Sequence, residues 1–137
     1  MANNNEKCFI MLCTNRTERE CIDRALFGDR ASRLQYLKEI RVGDVGLLLN
    51  VSSNELIGVF TSCSEAQVDI ESDAWGGKFR AQVQVRIEGT LKRVKEAGTV
   101  LEDAGVSLID LPSGALIPIY PVHEKDITRR LLNYFER

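Results

Sequence analysis

Residues 79–88 alternate without a break. Phe79, Ala81, Val83, Val85 and Ile87 are apolar, while Arg80, Gln82, Gln84, Arg86 and Glu88 are polar. A period of two predicts a strand with one buried and one wet face. Lys7-Cys8-Phe9-Ile10-Met11-Leu12-Cys13 is nearly all apolar and runs into Thr14 and Asn15, which predicts a buried strand. Residues 45–51 predict a core strand, 52–55 a hairpin turn and 56–60 the returning partner. Gly46 and Gly58 inside these strands predict bulges or close backbone approach.

Helical spacing follows in three places. Thr17-Glu18-Arg19-Glu20 fits a capping box, in which Thr17 and Glu20 satisfy each other's backbone amides. Behind it Cys21, Ile22, Ala25 and Leu26 share one face, and Gly28 is the expected stop. Leu34, Leu37 and Ile40 predict a short helix over 32–40, and Ile127, Leu131, Tyr134 and Phe135 an amphipathic helix over 124–135. Residues 61–77 are polar and irregular. Residues 90–97 read as a short helix or an irregular excursion and 106–109 as a strand. Residues 115–122 read as a last strand, interrupted by Pro118 and Pro121. Residues 1–6 are expected to be frayed. Strands that follow one another without long crossovers predict an α+β fold built on a mostly antiparallel, curved sheet or small barrel.

Composition narrows the function. The 137 residues suit a single domain, with 44% hydrophobic and 28% charged positions. No stretch approaches the roughly 18 apolar residues of a membrane helix, and the start carries no secretory pattern, so a cytoplasmic setting is expected. Cys8, Cys13, Cys21 and Cys63 lack paired spacing and His123 is the only histidine, so neither a metal nor another cofactor is expected. Reduced core thiols are expected instead. A net charge of −2 and a pI near 5.5 argue against sequence-independent binding to duplex DNA. No nucleophile-elbow, phosphate-loop or HExxH motif occurs, so the chain reads as non-enzymatic.

Three segments resemble the DCD (development and cell death) domain and, more distantly, the YTH and EVE domains of the PUA-like superfamily. The first is Phe9-Ile10-Met11-Leu12-Cys13-Thr14-Asn15 with Thr17, Glu20, Cys21 and Leu26-Phe27-Gly28. The second is Val42-Gly43-Asp44, then Leu47-Leu48-Leu49 and Leu56-Ile57-Gly58-Val59-Phe60. The third, Asp73-Ala74-Trp75-Gly76-Gly77-Lys78-Phe79-Arg80-Ala81-Gln82-Val83, is the most specific. Asp29-Arg30 depart from the Leu-Pro that usually follows Phe-Gly in DCD domains, and residues 92–111 match no part of the pattern. The resemblance implies a PUA-like small curved β-barrel of about five to six strands flanked by three to four helices. It also implies a pocket at one barrel mouth, where YTH domains cage the methyl group of N6-methyladenine in RNA. By position, Phe27 stands at the first cage residue, Trp75 at a later one and Ile70 at a third.

Such a pocket has its own physics. Stacking a base on an aromatic ring contributes about 1–3 kcal/mol, and Trp75 offers the largest face, with Gly76 and Gly77 letting backbone approach a ligand. A tryptophan packing over the barrel end would leave the same sequence. Thr14 and Asn15 are placed to hydrogen-bond a base edge and Asp73 to accept from a base amine, although such residues also serve as turn formers. Lys78, Arg80, Arg16 and Arg30 are candidates for phosphate, or ordinary surface charges paired along a helix or strand. The expected function is a nucleic-acid-binding domain that holds a flipped, modified base, with RNA favoured over single-stranded or flipped-base DNA and with no membrane partner. The alternative is a protein-interaction or stress-signalling module, favoured by the acidic pI and by the aliphatic Ile70.

Overall fold

The computed structural model describes residues 7–136, so the frayed start expected at 1–6 lies outside the described residues. Nine strands and four α-helices alternate as β1 (Cys8–Cys13), α1 (Glu18–Arg24), β2 (Leu26–Asp29), α2 (Leu34–Leu37), β3 (Val45–Asn50), β4 (Glu55–Ser62), β5 (Gln67–Val68), β6 (Ala81–Lys95), α3 (Ala97–Ala104), β7 (Leu108–Asp110), β8 (Leu116–Pro118), β9 (Val122–His123) and α4 (Lys125–Phe135). Short 3₁₀ turns sit at Ala31–Arg33 and Ala74–Gly77. The main sheet runs β2-β6-β4-β3-β1-β9, with β5 added on β6, and β7 and β8 form a separate hairpin. The α+β, curled half-barrel architecture is the one expected. Among the described residues no helix is long and apolar enough to cross a membrane.

The unbroken apolar runs of β1 and β3 arise because both faces of the sheet are covered. Phe9, Met11 and Cys13 join Phe27, Phe60, Leu37 and Ile40 inside the curl. Cys8 and Ile10 point the other way, into a second core with Val100, Leu101, Leu131 and Phe135 of the two long helices. β1 and β3 pair in parallel, from Cys8 opposite Val45 to Cys13 opposite Asn50. Every other ladder among the described residues is antiparallel, so the sheet is mostly antiparallel as expected. The glycines expected at close approaches are there. A Cβ on Gly46 would stand 2.7 Å from the Phe9 ring, and the β4 ladder shifts register between Gly58 and Phe60.

Three expectations are corrected. The capping box does not form: the Thr17 hydroxyl accepts from the Thr14 N–H at 2.9 Å, and Glu20 is drawn elsewhere. Helix α1 stops at Arg24, because Ala25 turns left-handed (φ 51°), so Leu26 to Gly28 lie in strand β2 instead. Residues 90–95 are neither helix nor excursion. They continue β6 and pair with β4, Leu56 opposite Val94, since that half of β4 needs a ladder partner. The last strand is interrupted where its prolines predict, β8 ending at Pro118 and β9 starting only at Val122.

Candidate functional site

β6 is long enough to pair with β2 at one end and with β4 beyond it, which curls the sheet and brings β2 back towards β1. The rings of Phe9 and Phe27 meet there at 6.0 Å, yet the two strands do not pair. The seam between them opens into a cleft of about 490 Å³. Trp75 and Phe79 form an aromatic wall, edge to face at 5.8 Å. The β7–β8 hairpin adds an aliphatic wall of Ile109, Leu111 and Ile117. Thr14, Thr17 and Arg30 supply polar groups at the border. No charged partner of the Arg30 guanidinium occurs among the described residues.

Trp75 is held in place by backbone geometry and by charge. It takes a left-handed conformation (φ 51°, ψ 34°), followed by Gly76 at φ 64° and Gly77 at φ 83°. A non-glycine residue in this region costs about 1–2 kcal/mol, so something must impose it. The Trp75 N–H donates to Glu20 Oε2 at 2.7 Å. Glu20 in turn pairs with Arg24, whose guanidinium also reaches Glu71 at 2.6 Å and Asp73 at 3.3 Å. Arg24 holds the Asp73 carboxyl below the usual carboxylate range. The indole lies over Gly28, where a Cβ would stand 2.5 Å from Cζ3.

The indole is 7% exposed and its Nε1 is buried without an acceptor among the described residues. The nearby Cys21 sulfur is only a weak acceptor and does not satisfy it. Burial pushes the Cys21 thiol up to about 12, an effect the indole N–H partly opposes. Cys8, Cys13 and Cys21 are buried and unbridged, and Cys63 is exposed. No group of three or more His, Cys, Asp or Glu side chains stands ready to hold a metal among the described residues.

Of the residues singled out from sequence, Trp75, Thr14 and Arg30 border the cleft. Phe27 does not. It is fully buried, edge-on to Phe60 at 4.8 Å, because its side chain points into the curl rather than the seam. Ile70 packs against the same core. Asn15 accepts from Asn50 Nδ2 on the β3–β4 turn, and Asp73 is bound to Arg24. Arg80 forms a bidentate pair with Asp69, Lys78 is exposed beyond the Trp75 turn, and Arg16 is exposed with its N–H on the Thr14 hydroxyl. Phe79 and the β7–β8 hairpin were not anticipated as site residues. A hairpin signal was present, since Leu108–Asp110 and Leu116–Pro118 flank Pro112-Ser113-Gly114.

Residues 7–102 match the Development and cell death domain. The chain belongs to this family. No curated protein matches the sequence at a significant level. In fold, this DCD domain is similar to YTH domains. An RNA complex of the Mmi1 YTH domain superposes with a TM-score of 0.69 at 11% identity, covering 98% of this chain and 80% of that one. The YTH domain of Zygosaccharomyces rouxii MRB1, in complex with N6-methyladenosine RNA, gives 0.65 at 16% identity, covering 96% and 87%. The Toxoplasma CPSF4 YTH domain, bound to a 7-mer m6A-modified RNA, gives 0.62 at 12% identity, covering 97% and 92%.

Proposed function

We propose that this DCD domain, acting as one unit, binds single-stranded RNA and seats one base in the cleft against Trp75. The observation that carries the reading is the indole itself. It is held left-handed at the wall of an open cleft, with Phe79 beside it and its N–H unused. A flipped base placed there gains a stacking face and an apolar hairpin wall. A methyl on the base would bury further apolar area, adding about 0.8 kcal/mol. The Arg30 guanidinium and the Thr14 hydroxyl at the border suit phosphate and sugar oxygens. The RNA complexes of the YTH neighbours support this choice of ligand.

The domain binds without transforming its ligand. Cys21 borders the cleft, and its raised thiol stays protonated and unreactive. Reduced cysteines fit a cytoplasmic setting.

Trp75 is the only tryptophan, so its fluorescence reports this one wall. Titration with 7-mer RNAs carrying a central adenine or N6-methyladenine is expected to quench it saturably at micromolar RNA, more tightly for the methylated strand. Trp75→Phe is expected to weaken binding about tenfold, as lost stacking area dictates, measured by anisotropy of labelled RNA. An unchanged Trp75 emission with both RNAs overturns the proposal.

A further inference from the structure

Strand β1 has an unfinished edge. Its parallel ladder with β3 uses the main-chain groups of odd-numbered residues: Val45 donates to the Lys7 carbonyl and Val51 to the Cys13 carbonyl. Alternation along a strand therefore turns the groups of Cys8, Ile10 and Leu12 to the other side. There β9 covers only Cys8 and Phe9, and the Ile10 N–H donates to the Pro121 carbonyl at 2.8 Å. The return bond, from residue 121 to the Ile10 carbonyl, cannot form, because proline has no N–H. Beyond it, Leu12 has no strand opposite. The edge thus presents an acceptor (Ile10 C=O), a donor (Leu12 N–H) and a second acceptor (Leu12 C=O), none with a partner among the described residues.

This edge faces the cleft. Both Ile10 and Leu12 border it. The Ile10 side chain packs in the core on the other face of the sheet, so its contribution to the cleft is main chain. The free edge is two residues long, too short for an added peptide strand but matched to one planar ring.

We propose that this edge reads the amino face of an adenine-type base. The Ile10 carbonyl accepts from the exocyclic N6–H, the Leu12 N–H donates to the adjacent ring nitrogen N1, and the Leu12 carbonyl faces the C2–H. Guanine opposes two of the three groups, with its O6 acceptor against the Ile10 carbonyl and its N1–H against the Leu12 N–H, and matches only the Leu12 carbonyl through its N2 amine. N6-methyladenine keeps one N6–H and is admitted; N6,N6-dimethyladenine has none and is refused. The inference rests on the base-binding reading of the cleft and adds to it the identity of the base.

The test uses 7-mer RNAs that differ only in a central adenine, N6-methyladenine, N6,N6-dimethyladenine or guanine, titrated against Trp75 fluorescence. Adenine and N6-methyladenine are expected to bind about tenfold or more tightly than the other two, the loss that follows when a buried polar group is left unpaired. Equal quenching by all four overturns the edge reading while leaving the base site intact. Quenching by none overturns the base site itself. Pro121→Ala supplies an N–H to the Ile10 carbonyl and is expected to shrink the preference for adenine over N6,N6-dimethyladenine. An unchanged preference in a variant whose circular dichroism matches the parent assigns the discrimination to another group.

Discussion

The main-chain N–H of Trp75 donates to Glu20 Oε2 at 2.7 Å, across 55 residues of sequence. This bond ties the loop before β6 to the face of α1. Through Arg24 the same carboxylate joins Glu71 and Asp73, so one guanidinium gathers the two acidic residues just before Trp75. The cleft wall is thus set by a helix far away in the chain.

Removing that tie should loosen the wall. Glu20→Ala deletes a charge-assisted hydrogen bond and leaves a strained residue without its anchor. A stability loss of about 2 kcal/mol is expected, read as a lower urea midpoint. Trp75 emission should shift to the red in the folded variant, because the ring gains contact with water.

Gly28→Ala should be costly for a reason of space alone. Gly28 has no positive φ, but an added methyl would lie 2.5 Å and 2.8 Å from two indole carbons. Overpacking of this kind costs about 1–3 kcal/mol, and displacing the ring should weaken RNA binding as well. Gly76→Ala is the contrast. Its Cβ meets nothing within 4 Å, while φ is +64°, so backbone strain of about 1 kcal/mol is expected. Denaturation and binding curves of the two variants together separate the effects.

His123 should make the fold acid-sensitive. Burial holds its imidazole below the ordinary value of 6.5, and Nε2 is buried without a partner among the described residues. The unfolded chain therefore takes the proton first as pH falls. The stabilising contribution is complete above 6.5 and is lost as pH drops through the folded-state value. Urea midpoints measured from about pH 7.5 to about pH 5 should decline, and His123→Gln should flatten the decline.

The buried thiols act at the other end of the scale. Burial raises Cys8 to about 11 and Cys21 to about 12, from an ordinary 9.0. Above 9.0 the unfolded chain loses these protons and the folded chain does not. Stability is then full below 9.0 and falls as pH rises towards those values, by up to about 1.4 kcal/mol per pH unit for each thiol. Cys21→Ala should lower stability at neutral pH but reduce the slope measured between about pH 9 and 10.5.

Much of the architecture was legible in the chain itself. The alternation at 79–88 marked Ala81, Val83 and Val85 as the buried face of β6, although Gln82 is buried too and Ile87 lies exposed, and the apolar runs at 8–13 and 45–51 marked strands covered on both sides. Helix α3 was missed, although Ala97, Val100, Leu101 and Ala104 share one face and Gly105 ends it. The unplaced family pattern there hid an ordinary helical period. Thr17 and Glu20 have the local spacing of a capping box. The folded chain offered Glu20 a better donor in the Trp75 amide.

The site divides along the same line. Sequence nominated Trp75, Thr14 and Arg30 because residue chemistry and motif position are local properties. It also nominated Phe27, and side-chain chemistry could not say that this ring turns into the curl. Which aromatic faces the seam depends on where β2 returns beside β1, a contact between segments that the alternation of neither one encodes. The open edge at Ile10 and Leu12 belongs wholly to tertiary structure. It exists because a proline more than a hundred residues downstream is brought opposite a carbonyl it cannot satisfy.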